Sequence, residues 1–307
     1  MSQPARPWPV LLRTKAELAA GRGGPDPWTA PVVLVPTMGA LHAGHRALLR
    51  AAGRRAGPAG SVIVSVFVNP LQFRPGEDLD RYPRTLDDDL AMCAEEGARV
   101  VFAPSAAEMY PGGQPDVTVD PGPMGQVFEG EFRPGFFAGV LTVVLKLVNV
   151  IRPDAAVFGE KDAQQLALVR RMVRDVDLGI AVESVPTVRD ADGLAVSSRN
   201  GYLSAADRAL ALGLPRALYA GRARSAEGAA AVLEAAREIL RTAPALAVDY
   251  VAVVDPRTFT EVQPGHVGPA VIVAAATAGS TRLIDNVPVV LGAGRKTGRH
   301  SRDAADH

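Results

Sequence analysis

Five short apolar runs, rich in β-branched residues, punctuate the first two thirds of the chain at residues 32–35, 61–68, 99–103, 155–158 and 180–188. The first four each stop at a polar, proline- or glycine-bearing stretch that gives way to helical spacing, and the fifth closes the series. Runs of this length and composition are buried strands. Strands that alternate with helices pack as a parallel sheet covered on both faces. The sequence therefore predicts an α/β fold, a doubly wound parallel sheet over residues 1–188. A short helix is expected around Thr14 to Ala20, an edge strand over 116–120 and a strongly apolar helix over 136–151. Beyond Leu203 the pattern changes to alanine-rich helices over 204–220 and 227–242, with a break near Gly213 to Pro215, then strands over 248–254 and 270–275. Residues 189–291 are thus expected to form a smaller α+β domain. Residues 292–307, with Arg295, Lys296, Arg299 and Arg302, are expected to be a disordered tail.

The first run leads into Val35-Pro36-Thr37-Met38-Gly39-Ala40-Leu41-His42-Ala43-Gly44-His45, and a helical pattern follows from Arg46 to Ala52. Strand, glycine-bearing turn and helix together aim backbone N–H groups and a positive dipole end at an anion. Gly39 and Gly44 let the backbone approach a phosphate without a Cβ in the way. His42 and His45 are three apart and share a face if the first helical turn includes them. An imidazolium there is expected to neutralise charge growing on a phosphate. Alone, His-x-Gly-His is equally a loop with two surface histidines; the strand before it and the helix after it favour function.

The second run stops at Asn69-Pro70, with Leu71-Gln72-Phe73 behind it. Ligands of open parallel sheets sit beyond the carboxyl ends of the strands, which places Asn69 and Gln72 well for one; the alternative is a turn in which Asn69 caps its own backbone. Asp87-Asp88-Asp89 opens a helix, where carboxylates complement the dipole or help hold a nucleotide-bound Mg²⁺. After the fourth run comes Gly159-Glu160-Lys161-Asp162, with Gln164 three residues past Lys161. A lysine at such a turn is a solvated charge or a phosphate ligand, and its neighbours favour the ligand. Ser197-Ser198-Arg199 reads either as a phosphate clamp or as a polar loop.

Composition narrows the partners. Thirty-three basic and thirty-three acidic residues cancel, so no global field favours nucleic acid or an anionic membrane. The single cysteine, Cys93, excludes an intrachain disulfide and a cysteine-rich metal site, and its apolar helical surroundings mark a buried structural thiol. The proline-rich N-terminus does not look like a signal peptide, and residues 136–151 are short for a membrane span and carry Lys146. A cytoplasmic protein is expected.

Four ordered motifs resemble those of the pantothenate synthetase (pantoate–β-alanine ligase) family: Val35 to His45, Phe67-Val68-Asn69-Pro70-Leu71-Gln72-Phe73, Phe158-Gly159-Glu160-Lys161-Asp162-Ala163-Gln164-Gln165-Leu166, and Ser197-Ser198-Arg199-Asn200. Beyond Asn200 the similarity is weaker, carried by Val248-Asp249-Tyr250 and Thr281-Arg282-Leu283-Ile284-Asp285-Asn286. The resemblance implies a Rossmann-like, nucleotidylyltransferase-like fold and ATP-dependent condensation of pantoate with β-alanine, through a pantoyl-adenylate, to pantothenate, AMP and pyrophosphate. By the same resemblance His45, His42 and Lys161 are catalytic. Met38, Gly39, Ala40, Leu41, His42, Gly44, His45, Gly159, Lys161, Asp162, Val188, Val196, Ser197, Ser198 and Arg199 line the ATP site. Pro36, Thr37, Met38, Asn69, Gln72, Arg133 and Gln164 meet the acid or amine, and Asp88 and Asp89 match magnesium positions. It also implies a homodimer whose second domain acts as a lid, with no nucleic-acid or membrane partner.

Three departures from the family pattern stand out. Phe136 replaces a histidine in Arg133-Pro134-Gly135-Phe136-Phe137, Ala163 stands where tyrosine is frequent, and Met92 replaces a polar residue beside the metal aspartates. The first two predict a roomier, less polar substrate pocket, and the third bears on the metal. The competing readings are a paralogous acyl-adenylate-forming ligase for another hydroxy acid and amine, a nucleotidylyltransferase, and a non-catalytic nucleotide-binding module. Both histidines, Lys161 and Arg199 argue against the last.

Overall fold

The structure is a computed structural model that describes residues 8–24, 28–74 and 76–292. The tail expected over 292–307 lies, after Gly292, outside the described residues. In chain order the elements are β1 (Val10–Leu12), α1 (Lys15–Gly23), β2 (Val32–Thr37), α2 (Ala43–Ala56), β3 (Ser61–Val66), α3 (Leu86–Glu95), β4 (Val100–Phe102), α4 (Ala106–Met109), α5 (Glu129–Phe132), α6 (Phe136–Ile151), β5 (Ala155–Gly159), α7 (Ala163–Asp175), β6 (Ala181–Val185), α8 (Ala205–Ala211), α9 (Gly213–Ala223), α10 (Ala229–Arg241), β7 (Ala247–Val254), β8 (Gly268–Ala278) and β9 (Thr281–Leu291). They fall into two compact units, Met1–Ser204 with Arg257–Phe259, and Ala205–Pro256 with Thr260–His307.

In the first unit six parallel strands run in the order β1-β4-β3-β2-β5-β6. The alternating side chains of each strand feed two separate cores. Leu34, Ile63, Val100 and Phe102 pack on one face with Leu18 of α1 and the apolar sides of α6 and α7. Val33, Val35, Val62, Val64 and Val101 pack on the other with Leu48, Leu49 and Ala52 of α2 and Cys93 of α3. Covering both faces is what makes the strands continuous apolar runs. Burial pushes the Cys93 thiol up to about 12, so it is an inert core group.

At the edge of this sheet two elements differ from expectation. Residues 116–120 form no strand, because Val119 turns to the core and its N–H is capped by the Thr142 hydroxyl at 3.0 Å rather than by a ladder. The sheet edge is taken instead by Val10–Leu12 beside β4, a strand too short for its period to show. Helix α1 does form, capped by a Thr14–Glu17 box.

The second unit is a three-stranded antiparallel sheet, β7-β8-β9, with α9 against β8 and β9 and α10 against α9 and β7. The helical break falls at Leu212, between α8 and α9. Among the described residues no helix is long and apolar enough to cross a membrane.

Candidate active site

In the first unit the strand order reverses between β2 and β5: the chain steps from β2 to β3 on one side and from β5 to β6 on the other. Such a switch point opens a crevice at the carboxyl ends of the strands. The turn after β2 carries the two histidines and the turn after β5 carries Lys161.

The histidines are built into the start of α2. Gly39 and Ala40 leave β2 with φ of 81° and 50°, and His42 is the N-cap in extended conformation. Its Nδ1 accepts the Gly44 N–H at 3.1 Å, while the His42 N–H donates to Nδ1 of His45 at 3.2 Å. This is a capping box in which imidazoles replace the usual hydroxyl and carboxylate. A neutral imidazole whose Nδ1 accepts carries its proton on Nε2, so each ring presents an Nε2–H donor. The rings lie 4.0 Å apart, centroid to centroid.

Charge on these rings is disfavoured. His42 is lowered to about 4, by burial first and the Lys161 ammonium second, with Asp162 and Asp190 opposing them. His45 is lowered to about 3, by burial first and then by His42 and Lys161. The imidazolium expected from sequence is therefore replaced by a pair of neutral donors. Lys161 supplies the positive charge instead, with its Nζ 3.8 Å from Asp162.

Asp89 joins this loop from α3. Its Oδ1 accepts the Leu41 N–H at 2.8 Å and the Thr85 hydroxyl at 3.3 Å, and its Oδ2 accepts the Ala40 N–H at 3.1 Å. The residue is 1% exposed. Its pKa is raised by burial, and the Leu41 and Ala40 amides and the Thr85 hydroxyl oppose that rise without cancelling it. Three of about four acceptor positions are thus used inside the protein, which does not fit a metal ligand. Asp88 beside it is exposed, and Met92 packs against the core instead of extending a polar cluster. Among the described residues no group of three or more His, Cys, Asp or Glu is arranged to hold a metal ion.

The turn after β3 forms a second polar centre. Asn69 is fully buried. Its Nδ2 donates to Oε1 of Gln72 at 2.8 Å and to the Gly139 carbonyl at 3.1 Å, and its Oδ1 accepts the Tyr110 hydroxyl at 2.8 Å. With Oε1 engaged, the polar capacity left to Gln72 is that of its Nε2 hydrogens. Gly139 is required here, since a Cβ would stand 2.2 Å from the Leu71 carbonyl oxygen. Asn69 also accepts the Leu71 N–H of its own turn, as the capping reading has it, and with both amide hydrogens and both lone pairs engaged it acts as a support for Gln72.

Gln164, in the first turn of α7, is 4% exposed. Its Nε2 donates to the carbonyls of Met124 and Val127, both at 2.8 Å, and its Oε1 accepts the Glu129 N–H at 3.2 Å. Arg133 is held from three sides: by Glu77 at 2.7 Å, by the Gln72 carbonyl at 3.0 Å, and by the Phe136 ring, 3.9 Å from its Cζ. The departure at Phe136 thus supplies an aromatic face for a guanidinium. Ala163 is half-buried at the head of α7.

The polar loop after β6 closes on itself through the Val196 N–H and the Val188 carbonyl at 2.9 Å. Ser197 caps the next turn through the Arg199 N–H, and Ser198 Oγ lies 3.3 Å from the Tyr82 hydroxyl. Arg199 grips Asp78 with two nitrogens at 3.1 and 3.2 Å, which offsets its burial and raises its pKa. Pro36 and Thr37 end β2, and the Thr37 hydroxyl donates to the Ser65 carbonyl at 2.7 Å and accepts the Gly39 N–H at 3.2 Å.

Sequence reasoning missed the supporting residues Glu77, Asp78, Tyr82, Thr85 and Tyr110. Nothing local marks them, because each acts on a partner brought near only by the fold. The helix-first-turn position of Asp89 was visible, but not its inward direction.

The family model for pantoate-beta-alanine ligase matches residues 12–288. A protein of Thermobifida fusca named pantothenate synthetase is 60% identical over 292 residues, 92% of this chain and 96% of that one. A pantothenate synthetase of Nocardioides sp. is 54% identical, with 92% and 86% covered. The crystal structure of pantothenate synthetase from Thermus thermophilus superposes with a TM-score of 0.83 at 47% identity, over 91% of this chain and 98% of that one. A pantoate-beta-alanine ligase from Francisella tularensis, solved as a complex with beta-gamma ATP and beta-alanine, superposes with a TM-score of 0.73 at 30% identity, over 91% and 97%.

Proposed function

The chain belongs to the pantoate–β-alanine ligase family, and from that premise we propose how its own residues divide the work of an ATP-dependent ligase that joins pantoate to β-alanine. A carboxylate is a poor electrophile. In the proposed first step a pantoate carboxylate oxygen attacks the α-phosphorus of ATP, and pyrophosphate leaves with the electrons of the broken P–O bond. In the second, the β-alanine amine attacks the acyl carbon, AMP departs with the carboxylate oxygen, and the amine gives up a proton.

The phosphates meet the two Nε2–H donors of His42 and His45 and the Lys161 ammonium. The observation that carries this reading is the reciprocal capping box, which fixes both donors before ATP arrives. Preorganised donors that need not reorganise stabilise charge as it develops. Their neutrality means that they bond phosphate oxygens without taking a proton from solution. Met38 to His45 and Gly159 to Asp162 border the nucleotide; Asp162 takes the ribose, and Val188, Val196, Ser197, Ser198 and Arg199 form its outer wall.

Gln72 presents Nε2–H to pantoate, and Gln164 contributes the remaining lone pair of Oε1 to a pantoate hydroxyl. Pro36, Thr37, Met38 and Asn69 shape the acid pocket, and Arg133, stacked on Phe136, supports the Gln72 turn. Magnesium enters this reading as the counter-ion of ATP, part of the substrate, and no step is assigned to it. A cytoplasmic homodimer completes the proposal, on the family resemblance. The catalytic residues named here all belong to the first unit.

The test uses pantoate labelled with ¹⁸O in its carboxylate. Purified protein with ATP and β-alanine should yield pantothenate and AMP, with one labelled oxygen in the AMP. AMP without label would reject the adenylate route.

A further inference from the structure

We propose that Asp89 is a positioning residue, a built-in anion that fills the amide cradle of the Gly39–Leu41 turn and so sets the direction in which His42 and His45 face the nucleotide. The inference rests on the reading above, in which this turn meets the ATP phosphates.

Consecutive N–H groups in a left-handed turn converge on a concavity that suits an anion. Here Gly39 and Ala40 have φ of 81° and 50°, and the N–H groups that follow, of Ala40 and Leu41, converge on one carboxylate. For alanine the left-handed region is strained, so its surroundings must hold it there. The carboxylate does this from forty-nine residues away in sequence. A Cβ on Gly39 would stand 2.9 Å from Asp89 Oδ2, so the turn and the side chain fit without spare room. Thr85, the N-cap of α3, fixes Asp89 from behind through its hydroxyl.

Two consequences follow. The Ala40 and Leu41 amides are spent within the protein, so the phosphates are left to the imidazole Nε2–H groups and Lys161. The next residue is His42, whose extended backbone starts the capping box, so any loosening of Leu41 passes directly to both rings. Asp89 thus serves the same nucleotide as a metal ligand would, but by shaping protein and not by binding magnesium.

The experiment compares wild type with Asp89→Asn. The amide is isosteric, but it sets its NH₂ against one of the two backbone N–H groups, leaving a buried donor unsatisfied. Hydrogen exchange at Ala40 and Leu41 is measured in metal-free, nucleotide-free protein, and pantoate-dependent ATP–pyrophosphate exchange is measured across a magnesium series. The inference expects faster hydrogen exchange at both amides and a kcat/KM for ATP lowered about 10- to 100-fold, not restored by raising magnesium. Unchanged protection at Ala40 and Leu41, or activity regained at high magnesium, would overturn it in favour of a metal ligand. Lost protection with unchanged ATP kinetics would also overturn it. If the phosphate-site reading itself has failed, His45→Ala will keep wild-type exchange as well; if only the brace has failed, His45→Ala will still be inactive. Should Asp89→Asn not fold, Thr85→Val removes the outer hydrogen bond to Oδ1 and is expected to give the same pattern with a smaller change.

Discussion

The backbone N–H of His42 donates to Nδ1 of His45, and the ring of His42 in turn accepts the N–H of Gly44, so each imidazole is locked by the backbone of the helix it opens. The lock fixes the tautomer as well as the position. With Nδ1 occupied, both rings are committed to donate through Nε2.

A pH profile reads this directly. Both histidines have folded-state pKa values below the ordinary 6.5, at about 4 and about 3. They bind fewer protons in the folded than in the unfolded protein between those values and 6.5. Stability should be full above about pH 6.5 and fall as pH drops toward 4. His42→Ala should flatten part of that slope in thermal melts. The acid limb of kcat/KM for ATP should show no inflection near 6.5, and an inflection there that disappears in His45→Ala would assign a charged imidazole to catalysis.

Gly44→Ala should disable the site with little loss of fold. Position 44 is helical, so alanine suits the backbone, but its Cβ would stand 2.9 Å from Cε1 and 3.0 Å from Nδ1 of His42. The ring must swing off its cap. Pyrophosphate exchange should fall by about 10- to 100-fold, the loss of a well-placed charge-stabilising donor, while the melting temperature changes by only a few degrees. Undiminished exchange would show that His42 need not occupy the observed position.

Gln164→Ala should act on stability as well as on pantoate. Truncation leaves the Met124 and Val127 carbonyls and the Glu129 N–H without the partner they have now. Buried polar groups so orphaned cost about 1–3 kcal/mol each. A lowered melting temperature together with a raised KM for pantoate is expected, with the KM for ATP little changed. A stable variant impaired only in ATP binding would place this glutamine in the other pocket.

Much of this arrangement was legible before the fold was known. Run length and β-branched content located β2, β3 and β5 and the turns behind them, because strands buried on both faces are continuous apolar runs. The positions of His42, Lys161 and Gln72 followed from those turns. What the sequence could not carry was direction. The acidic run at Asp87–Asp89 reads as a complement to the helix dipole or as a magnesium site, yet Asp89 turns inward to the Ala40 and Leu41 amides. Phe136 read as a lost polar contact, whereas its ring supports Arg133. The histidines read as charges because burial, which neutralises them, is a property of packing and not of composition. Residues 116–120 have strand-like alternation, but Val119 packs on the core and its N–H goes to the Thr142 hydroxyl rather than to a neighbouring strand.

The most direct test of the central claim is pantoate-dependent ATP–pyrophosphate exchange, without β-alanine, in wild type and in His45→Ala. The account predicts exchange in the wild type that requires pantoate, and a fall of about 10²-fold or more in a variant whose thermal melt shows it to be folded. Exchange at near wild-type rate in folded His45→Ala, or none in the wild type with pantoate, would contradict it.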